Sequence, residues 1–253
     1  MPFGLRVLDD DQAAAREAAE LWTTILRTAI ERFGRATVAL AGGRTPRLLY
    51  ETLAGEPYRE RVAWDLVEWF WGDERPVPAD HPDSNYRLAA ETLLSRLPVA
   101  PARMHRIPTE LGPEAAARAY EDEIRRVFGL TPHELPRFDL ILLGMGADGH
   151  IASIFPATAA VRETARLVIA VHVPHLATTR ITLTPPVIRV ATHVLVLVTG
   201  AEKAPAVRAA LEDPDDPDRI PAHILRSASG DVIWLLDRAA ARDLSRPTGS
   251  PPT

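Results

Sequence analysis

The chain has 253 residues, 46% of them hydrophobic and 25% charged, with a formal net charge of -5 and no cysteine. That length supports one sizeable α/β core, and the composition excludes extensive disorder and fibrous repeats. The acidic balance excludes a basic surface for nucleic acid, and the missing cysteine excludes disulfides, thiolate metal sites and a cysteine nucleophile. In chain order, the N-terminal MPFGLRVLDDDQ lacks the apolar run of a secretion signal, and the longest apolar runs, such as VLVLV at 194–198, are far too short to span a membrane. A soluble cytoplasmic protein is expected.

Residues 10–33 place Ala14, Ala18, Leu21, Ile25 and Ala29 at helical spacing. TVALAG at 37–42 reads as a short strand, and the next helix is expected to start with Thr45 as its cap and Pro46 in its first position. LVEWFWG at 66–72 is a second strand, followed by helices over 84–95 and 113–128. FDLILLG at 138–144, LVIAVHV at 167–173, HVLVLVTG at 193–200 and DVIWLLD at 231–237 complete the strands, with a helix over 201–211 and a short Ala-rich helix at the end. Continuously apolar strands alternating with helices imply an α/β fold: a Rossmann-like, mostly parallel sheet with helices on both faces. Residues 1–244 are expected to form a single α/β domain with room for a small lobe. EDPDDPDRIP at 212–221 reads as an acidic surface loop, and residues 245–253 as a flexible tail.

In such sheets ligands bind beyond the carboxyl ends of the strands, so the segments found there are the candidate site. Gly42-Gly43-Arg44-Thr45-Pro46 is a glycine turn opening a helix, suited to an anion through free amides, the Thr45 hydroxyl and the Arg44 charge, or else a plain connection. Asp73-Glu74-Arg75 offers Arg75 to a phosphate and Asp73 to a sugar hydroxyl or a histidine; the alternative is a surface ion-pair cluster. In Gly144-Met145-Gly146-Ala147-Asp148-Gly149-His150, glycine-rich backbone suits an oxyanion and His150 is rigidly placed for a general base, against the alternative of a structural histidine. Lys203 is the only lysine against 28 arginines, a position where a compact ammonium is retained before a helix, and Arg180 is placed to face the same edge.

Among the remaining histidines, His81, His105 and His133 fall in turns or loops, His175 in a loop leading to Arg180, and His172 and His193 in apolar strands that suit core histidines. No histidine pair has zinc-ligand spacing, so no metal or other cofactor is implied. No serine-hydrolase elbow is present. Together the strand ends describe acid–base chemistry on a small phosphorylated substrate.

LAGGRTP at 40–46, WFWGDERPVPADHPDSNY at 69–86, FDLILLGMGADGHIASIFP at 138–156, RITLTPPVI at 180–188 and VLVLVTGAEKAPAV at 194–207 resemble, in this order, the 6-phosphogluconolactonases. The resemblance implies a fold shared with glucosamine-6-phosphate deaminases, and hydrolysis of 6-phospho-D-glucono-1,5-lactone in the oxidative pentose phosphate pathway. It implies His150 as general base, oriented by Asp73 or Asp148, and Gly42, Gly43, Thr45, Arg75, Gly146 and Lys203 as substrate-binding residues, with Arg44 and Arg180 beside them. Arg44 stands where that family usually has serine. Two other functions stay open: an amino-sugar-phosphate isomerase/deaminase, and a non-enzymatic sugar-phosphate sensor. Neither nucleic acid nor membrane is an expected partner; the oligomeric state is not readable, with a monomer favoured.

Overall fold

The computed structural model describes residues 3–245. The first strand, β1 (Phe3–Leu8), was not anticipated from the sequence. It leads to α1 (Asp11–Phe33), whose N-cap is Asp10, its carboxylate accepting from the Ala13 amide at 2.7 Å, and which ends at Gly34 in the left-handed conformation. β2 (Ala36–Leu40), α2 (Arg44–Leu53) and β3 (Val67–Trp71) follow. The next elements are the two-residue β4 (Asp73–Glu74), α3 (Asn85–Thr92), α4 (Pro113–Phe128) and β5 (Leu140–Leu143). The chain then forms β6 (Val168–Val173), β7 (Thr178–Leu183), α5 (Pro185–Val190) and β8 (His193–Val198). α6 (Ala204–Glu212), β9 (Asp231–Asp237) and α7 (Arg238–Ala241) close the fold.

Six strands form one parallel sheet in the order β1-β9-β8-β5-β2-β3. Every residue of β2, β3 and β5 is buried, so the sheet is covered on both faces, as continuously apolar strands require. The all-parallel order brings the carboxyl ends of β2, β3, β5 and β8 to one edge. Two buried tyrosines finish the backbone pairing there. Tyr50 of α2 accepts from the Ala41 amide and donates to its carbonyl, at 3.0 and 2.7 Å. Tyr120 of α4 does the same at Trp71, at 2.7 and 3.0 Å. Backbone groups leaving a ladder inside a protein need such partners.

The strand over 167–173 departs from expectation. β6 pairs antiparallel with β7 in a second sheet, β4-β7-β6, outside the parallel one. Its burial alternates at the end, with His172 exposed between buried Val171 and Val173, so His172 is not a core histidine. Gly72 joins the two sheets: its amide donates to the Leu40 carbonyl of the large sheet, and its carbonyl accepts from Leu183 of the small one, both at 2.8 Å. β4 therefore continues from β3 and carries Asp73 over the edge where the other strands end. Of the expected tail, Ser245 bonds to Glu212 and residues 246–253 lie outside the described residues. Among the described residues, no helix is long and apolar enough to cross a membrane.

Candidate functional site

A cleft of about 810 Å³ opens at the carboxyl edge of the parallel sheet. The turns after β2, β3, β5 and β8 line it, joined by the β6–β7 turn from the small sheet, and all the residues anticipated for the site border it.

The loop after β5 is folded on itself. The Gly146 amide donates to the His150 carbonyl at 2.9 Å, and the Gly149 amide to the Gly146 carbonyl at 3.1 Å. Inside this turn Asp148 Oδ1 lies 2.6 Å from His150 Nδ1 and accepts the His150 amide at 3.2 Å. With its own amide paired inside the loop, Gly146 contributes room: a Cβ there would collide with the His150 ring and the Asp148 carboxylate. Phe155 packs on the other side of the imidazole, with ring centroids 4.1 Å apart. Burial alone would raise the Asp148 carboxyl, but the hydrogen bond and charge of His150 outweigh it and hold it down at about 2. An ionised Asp148 at Nδ1 fixes the tautomer that leaves a lone pair on Nε2.

Asp73, the other carboxylate left open for that task, is held elsewhere. It accepts from Ser153 Oγ at 2.5 Å and from Asn85 Nδ2 at 3.2 Å. Its neighbour Glu74 is buried and accepts the amides of Arg75, Asn85 and Tyr86, each at 2.8 Å, so it anchors the start of α3. Burial pushes the Glu74 carboxyl up. The Asp73-Glu74-Arg75 triplet is thus a buried strand end and not a surface ion-pair cluster.

The cleft carries several cations. Arg75 donates to the Asp83 carbonyl at 2.6 Å, and Arg180 to Thr178 Oγ1 at 2.9 Å. Burial, and after it the nearby Arg75 charge, lower the Arg180 pKa, against the opposing pull of Asp73, Asp83 and Glu74. Lys203 ends a 3-10 turn, Ala201–Lys203, directly before α6, so the expected helix over 201–211 begins three residues later than its pattern suggested. Among the described residues, no carboxylate pairs with the Lys203 ammonium. Arg44 is 83% exposed and lies 3.6 Å from Glu202.

The glycine turn begins its helix earlier than expected. Gly43, with φ of 108°, is the cap residue; α2 starts at Arg44, and no side chain caps it. Thr45 is therefore inside the first turn, and its hydroxyl lies 2.9 Å from that of Thr199 at the end of β8. The left-handed backbone at Gly43 sets this start, which no side-chain preference at Thr45 overrides.

Asn85, Ser153, Phe155, His175 and Thr199 also line the cleft and were not anticipated as site residues. Asn85, Ser153, Phe155 and Thr199 fall within the segments that carry the resemblance, and Asn85 is also the only asparagine of the chain. Elsewhere, His105 is buried between Glu68 and Glu123, and His223 between the Asp216 amide and the Ala209 carbonyl. His193 Nδ1 meets the Asp139 carbonyl at 3.0 Å. Among the described residues, no three His, Asp or Glu side chains are grouped to hold a metal ion.

The geometry is a histidine–carboxylate pair beside a cationic, glycine-rich pocket, which suits general-base attack on a small anionic substrate. Residues 9–234 match the family model described as glucosamine-6-phosphate isomerases/6-phosphogluconolactonase. The chain is 38% identical over 242 residues to a 6-phosphogluconolactonase of Nostoc sp., covering 95% of this chain and 98% of that one. It is 40% identical over 239 residues to a 6-phosphogluconolactonase of Synechocystis sp., covering 94% and 97% of the two chains. A solved 6-phosphogluconolactonase from Trypanosoma cruzi superposes with a TM-score of 0.85 at 30% identity, over 97% of this chain and 98% of that one.

Proposed function

This chain belongs to the glucosamine-6-phosphate isomerase/6-phosphogluconolactonase family, and we propose that its lactonase chemistry runs through the His150–Asp148 pair. The activity is that of a 6-phosphogluconolactonase: hydrolysis of 6-phospho-D-glucono-1,5-lactone to 6-phospho-D-gluconate in the pentose phosphate pathway.

Water attacks the C1 carbonyl of the lactone while His150 Nε2 takes its proton. Asp148, ionised and bonded to Nδ1, stabilises the imidazolium that forms. The tetrahedral oxyanion collapses, the C1–O5 bond breaks, and His150 returns the proton to the leaving oxygen, which becomes the C5 hydroxyl. The new carboxylic acid then ionises to solvent. No step calls for a metal ion or other cofactor. A positioned base contributes about 10²–10⁴-fold, and pre-set donors at the oxyanion about 10²–10³-fold.

Asp73, held by Ser153 and Asn85, is assigned to a sugar hydroxyl. Lys203, Thr45 and the Gly42-Gly43 turn take the 6-phosphate, and Arg75 and Arg180 add positive potential along the cleft. Arg44, exposed and beside Glu202, is assigned to the rim. We place the reaction in the cytoplasm, where phosphorylated sugars are made and retained.

The 2.6 Å contact between Asp148 and His150 in a cationic cleft carries this reading. Its test is lactone hydrolysis and ammonia release measured on one preparation, with 6-phosphogluconolactone and glucosamine 6-phosphate as substrates. Hydrolysis above the spontaneous rate without ammonia release is expected. Ammonia release alone would reverse the assignment.

A further inference from the structure

Asn85 is the only asparagine among 253 residues, and it is 1% exposed in the wall of the cleft. It opens α3, where its backbone amide is taken by Glu74. Its side chain reaches the site instead. Nδ2 donates to the Asp73 carbonyl at 2.9 Å and to Asp73 Oδ1 at 3.2 Å. Oδ1 has no hydrogen-bond donor among the described residues, although it is buried. It fills the space that a Cβ on Gly42 would need, which explains why the first residue of the turn must be glycine. A buried acceptor left unpaired is costly and rare, so its retention calls for a reason beyond packing.

The remaining Asp73 oxygen is taken by Ser153 Oγ, three residues beyond His150. Asp73 is thereby gripped from two sides, from α3 and from the loop that carries the general base. The Asn85 carboxamide also stands against the glycine turn, so one side chain spans the sugar-facing carboxylate and the phosphate-facing backbone. Resting on the lactonase reading above, we infer that Asn85 is a positioning residue: it aims the Asp73 carboxylate at the substrate and sets its separation from the Gly42-Gly43 turn. Serine or threonine is too short to bridge both, and aspartate keeps the shape but removes the donor and adds charge beside Asp73.

The experiment is a double-mutant cycle on kcat/KM at pH 8, using Asp73→Asn, Asn85→Asp and both together, with unfolding midpoints recorded for each. Asn85→Asp is nearly isosteric, so it tests the contact without opening a cavity. It should lose about 10²-fold, the scale of a substrate misplaced by about 1 Å. In the double variant the side-chain donor and acceptor are exchanged and that hydrogen bond is regained, while the bond to the residue 73 carbonyl is not. Its loss in kcat/KM should therefore be smaller than the product of the two single losses, a coupling that an asparagine acting independently of Asp73 would not produce. An active wild type with Asn85→Asp at full activity, or losses that multiply in the double variant, would overturn the positioning role alone. If Asn85→Asp fails to fold, Asn85→Ser, too short to reach Asp73, crossed with Asp73→Asn tests the same contact, and losses that multiply there overturn it equally. A wild type without lactonase activity would overturn the assigned reaction, and this role with it.

Discussion

His150 and His105 both have a carboxylate oxygen at Nδ1, at 2.6 Å from Asp148 and 2.7 Å from Glu123. Their second nitrogens separate them. His105 Nε2 meets Glu68 at 2.9 Å; Arg103 and Arg126 pair with the two glutamates at 2.6 Å each, and Phe70 stacks on the ring at 4.5 Å. The His105 side chain is 5% exposed and every polar atom of it is used. His150 has one carboxylate, an Nε2 without a protein partner among the described residues, and a side chain 27% exposed at the cleft. His105, buried with a carboxylate on each nitrogen, is placed to hold structure together. A histidine with a fixed tautomer and one vacant nitrogen can move a proton.

The sharpest break of this contrast is His150→Ala. It should lower kcat by about 10²–10⁴-fold while leaving the unfolding midpoint close to wild type, read by lactone hydrolysis corrected for spontaneous opening. Turnover near wild type would remove His150 as the base.

Asp148→Asn comes next, with a loss in kcat expected because the base stays in place while its tautomer is no longer fixed. The same residue sets a pH test. The Asp148 carboxyl lies at about 2, below its ordinary value of 3.8, so its stabilising contribution is complete above the ordinary value and is lost as pH falls through about 2. Between pH 4 and 2, Asp148→Asn should therefore lose less stability than wild type in acid titrations followed by circular dichroism. Equal slopes would show that the pair makes no difference to acid stability.

Lys203→Ala removes a charge far from the reacting carbonyl and should mainly raise KM. A loss of about 10-fold or more in kcat/KM is expected for one charged hydrogen bond of about 1.5–3 kcal/mol. Lys203→Arg should recover part of it, because the charge returns on a larger, planar head. Lys203→Ala with wild-type kinetics on the phosphorylated lactone would end the phosphate role.

His105→Phe should have the smallest effect on activity and a clear one on stability. It leaves Glu68 and Glu123 facing an apolar ring, at a cost of about 3 kcal/mol in urea unfolding, the scale of a broken buried ion pair. Unchanged kcat with a lower midpoint completes the contrast; a kinetic defect at full stability would dissolve it.

Periodicity and punctuation were enough for much of this molecule. The helices over 10–33 and 113–128, the strands β2, β3, β5, β8 and β9, and the polar segments that follow four of those strands were legible because each depends on local pattern. A parallel sheet then brings such segments to one edge, which is why every anticipated site residue borders one cleft. β1, β7 and the two-residue β4 were missed, β4 because two residues carry no period, and β6 was grouped with the wrong sheet because an apolar run does not name its partner. The choice between Asp73 and Asp148 could not be made from the chain either. Asp148 is two residues from His150 and bonds its Nδ1, whereas Asp73 is held by Ser153 and Asn85. Local sequence determines which backbone a segment prefers and which chemical groups it carries. Hydrogen bonding between segments decides which of those groups meet, because each partner is supplied by a part of the chain whose approach only the packed fold defines.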